Sequence, residues 1–231
     1  MTSSWKNLAC KPQLLNLKIT LACGQAFRWK KNNNDEWRGV LAGKVWTFKE
    51  NYEGILYKVY TCNHEQREEE ESFVNNEFIL NDYFRLDIDL AEFYDKWSKR
   101  DQNFKQVSSK VAGYRLLRQD PVENLFSFIC SSNNNIERIS QMVEALCMKY
   151  GERVAEIDGV MYHSFPTIAR LAETEVEQEL REMKFGYRSK FIHETAKLLR
   201  DKDIGWLMSL RSAPYEDAHK GCATIFDMIY L

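Results

Sequence analysis

Apolar and polar positions change period along this chain, and the change divides it. Ile55, Tyr57 and Val59 alternate with Leu56, Lys58 and Tyr60, and Phe27 and Trp29 alternate with Ala26, Arg28 and Lys30. That is the period of two expected of strands. Asn32-Asn33-Asn34-Asp35 and Ala42-Gly43 read as turns between them. A hairpin-rich antiparallel sheet over the first sixty or so residues follows. After the charge run Glu65–Glu71, read as a solvated loop or helix edge, Leu90, Phe93, Tyr94 and Trp97 take helical spacing, as do Phe104, Val107 and Val111. From about residue 74 the pattern predicts helices to the end of the chain. Thr174 with Glu177 predicts a capping box, and Tyr215, Ala218, Cys222, Ile225 and Ile229 share one face of the last segment. The fold class is α+β, an N-terminal antiparallel sheet continuous with a helical part.

Residues 119–135 read QDPVENLFSFICSSNNN. Asp120 can cap a helix, Pro121 fits its first position, and Glu123 completes a capping-box-like pattern. Val122, Leu125, Phe126 and Ile129 then form one buried stripe. The helix ends in two serines and three asparagines rather than in a glycine stop. Such a cluster makes a poor core, but it presents amide donors and acceptors to a polar ligand such as a base edge.

Composition narrows the function classes. At 231 residues, with 44% hydrophobic and 13% aromatic content, the chain can bury a substantial core. No stretch approaches the roughly 20 apolar residues of a membrane span, and Met1–Lys6 carries no secretory pattern, so an intracellular protein is expected. The six cysteines include no Cys-x-x-Cys pair, and Cys62 with His64 is the one close Cys/His pair, far short of a four-ligand zinc pattern. No metal or other cofactor is expected. A net charge of −2 means that any nucleic-acid contact must come from a local patch.

On residue type alone the candidates have ordinary readings. Asn133 could cap the helix near Ile136, Gly24 could be a turn glycine, and Tyr187 a half-buried loop aromatic. Arg181, Lys184, Arg188 and Lys190 could line a solvated helix edge. His163, His193 and His219 read as structural or surface residues, and Cys130 as core.

The segments CGQAFRW (23–29), LLRQDPVENLFSFICSSNNNIERI (116–139), YHSFP (162–166), FGYRSKF (185–191) and YEDAHK (215–220) together resemble the 8-oxoguanine DNA glycosylases of the eukaryotic type. The likeness runs from about Leu14 to Lys220, in order and with similar spacing. It implies a DNA-repair enzyme of the helix-hairpin-helix glycosylase superfamily that extrudes 8-oxoguanine opposite cytosine from double-stranded DNA, cuts its glycosidic bond and nicks the abasic site. It implies a TBP-like sheet domain over residues 1–110, a helical glycosylase domain over 111–220, and a divergent tail over 221–231. By motif position Asn133 would hydrogen-bond the widowed cytosine, with Arg138 and Arg188 completing its recognition through planar donor forks. Tyr187 would wedge beside the vacated position, and the Gly24 carbonyl would accept the N7–H that distinguishes 8-oxoguanine. The resemblance also implies a monomer in the nucleus or mitochondrion, with no membrane partner.

After Lys220 the likeness stops. The family continues with a glycine-rich hairpin, L-P-G-V-G-T-K, whose lysine is the nucleophile, and with a catalytic aspartate further on. This chain reads GCATIFDMIYL instead. No catalytic residue is therefore carried over, since Lys220 and Asp227 supply the right chemical groups without the position. The helical domain is expected to be incomplete, without its helix-hairpin-helix, less stable than a full-length relative, and catalytically inactive. A damaged-DNA binder or a protein-interacting form is the alternative.

Overall fold

A computed structural model of the chain describes residues 4–8, 10–11, 13–52, 54–60, 69–202 and 204–230. The Cys62–His64 pair and residues 65–68 of the charge run lie outside the described residues, as does the side chain of Asp227. The chain forms two compact units: Met1–Gln119 with Arg153–His163, and Asp120–Glu152 with Ser164–Leu231.

The first unit carries the strands β1 (Lys6–Leu8), β2 (Lys30–Lys31), β3 (Trp37–Leu41), β4 (Lys44–Glu50) and β5 (Ile55–Tyr60). They form one antiparallel sheet in the order β1-β5-β4-β3-β2. Its helices are α1 (Leu17–Ala22), α2 (Glu69–Phe84), α3 (Leu90–Arg100) and α4 (Gln102–Ser108), followed in the chain by the hairpin β6 (Arg153–Ile157) and β7 (Val160–His163). Trp46, Phe48 and Tyr57 point from the sheet into a core with Trp29, Leu80 and Phe84. Register explains their meeting, since Phe48 stands opposite Tyr57 on one side and Trp37 on the other.

Two expectations for this unit are corrected. Phe27 and Trp29 do not lie in a strand. Trp29 is drawn out of the ladder into the core, where its Nε1 donates to the Tyr83 hydroxyl at 2.8 Å and its ring lies 5.1 Å from that of Phe48. The chain is also not helical throughout after residue 74. The β6–β7 hairpin covers the second face of the sheet, packing Val154 and Ile157 on Val40 and Val45. It turns at Asp158-Gly159, both at positive φ, as a tight hairpin turn requires. Arg38, buried on β3, donates to the Asp158 carboxylate at 2.7 Å and so ties the turn to the sheet.

The second unit is built of α5 (Pro121–Ser131), α6 (Ile136–Tyr150), α7 (Ile168–Leu171), α8 (Val176–Glu182), α9 (Arg188–Asp201), α10 (Ile204–Ser209) and α11 (Tyr215–Tyr230). Helix α9 is central, packing against α5, α7, α8 and α11 through a face that includes Ile192, Ala196 and Leu199. The Thr174 capping box does not form. Glu175 occupies the cap of α8 without a side-chain bond, and Glu177 turns to Arg181 instead. Residues 210–214 join α10 to α11, which runs unbroken through Lys220 and Gly221. Among the described residues no helix is long and apolar enough to cross a membrane.

Candidate nucleic-acid interface

Asp120 caps α5 as expected, accepting from the N–H groups of Val122 at 2.9 Å and Glu123 at 3.0 Å. Val122, Phe126, Ile129 and Cys130 are buried and fix the helix against its unit. The loop that follows divides labour among its asparagines. Asn134 turns inward, its Nδ2 donating to the Cys130 carbonyl at 2.9 Å and approaching Met142 Sδ at 3.3 Å. Asn135, rather than Asn133, caps α6 by accepting from the Arg138 N–H at 3.0 Å. Asn133 stands between them with φ +46, a left-handed conformation that asparagine tolerates better than most residues. It is exposed, and among the described residues its side-chain amide has no partner. The geometry therefore offers one complete amide, donor and acceptor, to an incoming group.

The loop is held from beneath by Arg188, buried at the start of α9 with 5% of its surface exposed. Its Nε donates to the Ser132 carbonyl at 3.2 Å, and its Nη2 donates to that carbonyl and, at 3.2 Å, to the Asn133 carbonyl. Nη1 reaches the Phe185 carbonyl at 3.5 Å. A guanidinium is the one side chain able to span these acceptors from a fixed plane. Arg188 thus comes to the predicted site, but as a post under the loop, with most of its donors already engaged.

Tyr187 stands beside the loop, 46% exposed, its hydroxyl donating to the Ser132 carbonyl at 3.1 Å. Its ring is braced edge-on by Phe191 at 5.6 Å, and the Arg188 guanidinium lies 4.6 Å from its centre. Arg138 is exposed in the first turn of α6, and among the described residues its guanidinium has no hydrogen bond or ion pair. Asn133, Tyr187, Arg188 and Arg138 thus share one end of the second unit, where Lys184 and Lys190 are also exposed. Burial pushes the Cys130 thiol up to about 12, so it is no nucleophile at neutral pH.

Gly24 belongs to the first unit. Its φ of +87 suits glycine, and the neighbouring Gln25 bolts its loop in place. Gln25 Nε2 donates to the carbonyls of Thr20 at 3.0 Å and Arg115 at 2.8 Å, while its Oε1 accepts from the Leu117 N–H at 2.9 Å. Gln25 and Asn134 are positioning residues that the sequence does not single out, because a lone amide in a motif carries no sign of facing inward.

The other predicted bystanders stay away from this chemistry. His219 is exposed on α11 beside Tyr215, at 5.8 Å between rings, and Lys220 follows it into solvent. His193 is buried on α9 near Glu177 and Glu194, three groups that could together hold a cation.

Comparison with known proteins identifies the family of the chain. Residues 7–125 match the family described as 8-oxoguanine DNA glycosylase, N-terminal domain, and residues 126–226 match the HhH-GPD superfamily of base excision DNA repair proteins. The chain belongs to the 8-oxoguanine DNA glycosylase family. It is 34% identical over 229 residues to the N-glycosylase/DNA lyase OGG1 of Arabidopsis thaliana, covering 97% of this chain and 60% of that protein. With the N-glycosylase/DNA lyase of Saccharomyces cerevisiae it shares 38% identity over 239 residues, covering 95% and 61%. The chain thus spans about 60% of the length of these curated relatives. Among solved structures it is similar to the 8-oxoguanine glycosylase/lyase of Clostridium acetobutylicum in complex with double-stranded DNA containing cytosine opposite 8-oxoguanine. That likeness has a TM-score of 0.77 at 30% identity, covering 91% of this chain and 68% of that one. The two family matches meet inside α5, directly before the helix turn that ends in the asparagine loop.

Proposed function

We propose that the second unit is an opposite-base reader for duplex DNA carrying 8-oxoguanine, with Asn133 as the group that enters the duplex. The carrying observation is the Asn133 amide, without a partner among the described residues and displayed at positive φ on a loop whose carbonyls Arg188 pins from below. An amide presented this way can donate to the acceptor edge of a widowed cytosine, and preorganisation keeps the ordering cost of binding low. Tyr187 is braced well enough to stack where the extruded base leaves a gap. Arg138, whose donors are unengaged among the described residues, takes the cytosine or an adjacent phosphate, and Arg188 acts on the base through the loop it holds. The Gly24 carbonyl, on a loop fixed by Gln25, takes the oxidised base.

The parent reaction is excision of 8-oxoguanine opposite cytosine, followed by β-elimination at the abasic site through an amine nucleophile. Within these 231 residues no glycine-rich hairpin follows Lys220, and Lys220 lies on a continuous helix. On this reading these residues bind the lesion pair, in the nucleus or mitochondrion where such DNA lies, and Lys220, exposed on a continuous helix, does not serve as the nucleophile.

Borohydride trapping on a duplex containing 8-oxoguanine opposite cytosine, with the yeast relative as positive control, separates binding from chemistry. Retarded but uncrosslinked duplex is expected. A covalent adduct would mean that an amine of this chain, Lys220 foremost, replaces the nucleophile.

A further inference from the structure

We propose that Glu177, His193 and Glu194 form a binding site for a zinc-class divalent cation that clamps α8 to α9. One ligand atom from each of the three residues lies within 4.8 Å of the others. The observation that points to a ligand is the imidazole. His193 is 8% exposed, and among the described residues neither of its ring nitrogens has a hydrogen-bond partner. Buried polar atoms in folded proteins are almost always satisfied, and an imidazole with both nitrogens bare is a conspicuous exception.

Its surroundings explain what would satisfy it. Glu177 gives one oxygen, Oε1, to Arg181 at 2.7 Å, which leaves Oε2 standing 3.7 Å from His193 Nδ1. That separation is long for a hydrogen bond but close to the span between two donors on one tetrahedral zinc, about 3.3–3.5 Å when each sits roughly 2.0–2.1 Å from the metal. Glu194 follows His193 on α9, its carboxylate 3.1 Å from the half-exposed Lys197 ammonium, a surface pair that a divalent cation can displace. One imidazole with two carboxylates suits zinc or cobalt better than the all-oxygen preference of magnesium or calcium. The clamp would join the two helices on either side of the turn that carries Tyr187. It does not depend on the DNA-reading assignment, and it is tested without DNA.

The test uses the whole 231-residue chain, reduced and stripped with chelator, titrated with cobalt(II) and followed by visible absorption, with zinc added as competitor. One cobalt per chain is expected, with a weak spectrum of nitrogen and oxygen donors, displaced by zinc, and a melting temperature raised by either ion. Glu194→Gln and Glu177→Gln should each weaken uptake at least about tenfold, and Glu194→Gln, at a half-exposed position, should melt like the parent without metal. Three results would overturn the site: no stoichiometric uptake, uptake unchanged in both glutamine variants, or a spectrum dominated by thiolate-to-cobalt charge transfer.

Discussion

At the scale of single residues, two arginines that look interchangeable in the sequence have opposite roles. Arg138 is exposed, without a hydrogen bond or ion pair among the described residues, whereas Arg188 is buried with its donors on three loop and turn carbonyls. Arg138→Ala should leave the melting temperature unchanged, weaken duplex binding, and lower the salt slope of log K by about one phosphate contact. Arg188→Lys keeps the charge but loses the fork, and should destabilise the second unit by about 2–3 kcal/mol, read from urea midpoints. An unchanged midpoint would remove Arg188 from its role as the post. The sequence marks both residues through the motif, but whether a guanidinium faces a ligand or its own backbone depends on a loop folded fifty residues earlier. The same limit hides the separate tasks of Asn133, Asn134 and Asn135, three identical side chains told apart by backbone conformation alone.

At the scale of elements, the strands that pair β3, β4 and β5 and the capped helix α5 are legible from periodicity, turn residues and Asp120-Pro121. The β6–β7 hairpin is not, because its strands are short and it lies within a helical stretch. Two signals for it were present: the Asp158-Gly159 pair, and Val40 and Val45 on the sheet face turned away from the aromatic core. Apolar residues on both faces of a sheet imply a second covering layer. Ile157, 8% exposed against Val40 and Val45, should therefore matter to the first unit's stability despite its distance in sequence. Ile157→Ala is expected to cost about 2–5 kcal/mol, and a loss below about 0.5 kcal/mol in urea unfolding would show that the hairpin is not part of that core.

At the scale of the whole molecule, the charge balance is near neutral but its distribution is not. Glu177 and Glu179 are held below the usual carboxylate range, the first chiefly by Arg181 and the second chiefly by Lys149. A depressed carboxyl stabilises the fold at pH values above its unfolded pKa, here 4.5, and that contribution is lost as pH falls through the lower folded value. The melting temperature should therefore fall between about pH 5 and pH 3, and Glu179→Gln should flatten the decline. An equally steep decline in that variant would assign acid sensitivity elsewhere. The family and the α+β architecture were legible because long motifs survive in order. The proposed DNA-reading face was legible through those motifs alone, since the net charge of −2 averages away the exposed Arg138, Lys184 and Lys190 around Asn133.

The central claim is that Asn133 makes this chain sensitive to the lesion pair. Equilibrium binding of the chain and of Asn133→Ala to duplexes with cytosine or adenine opposite 8-oxoguanine, at one fixed salt concentration, tests it most directly. The account predicts that the parent prefers the cytosine duplex by at least about tenfold, and that Asn133→Ala folds normally but loses about 1–3 kcal/mol of that preference. Equal affinity of the parent for both duplexes, or an undiminished preference in Asn133→Ala, would contradict it.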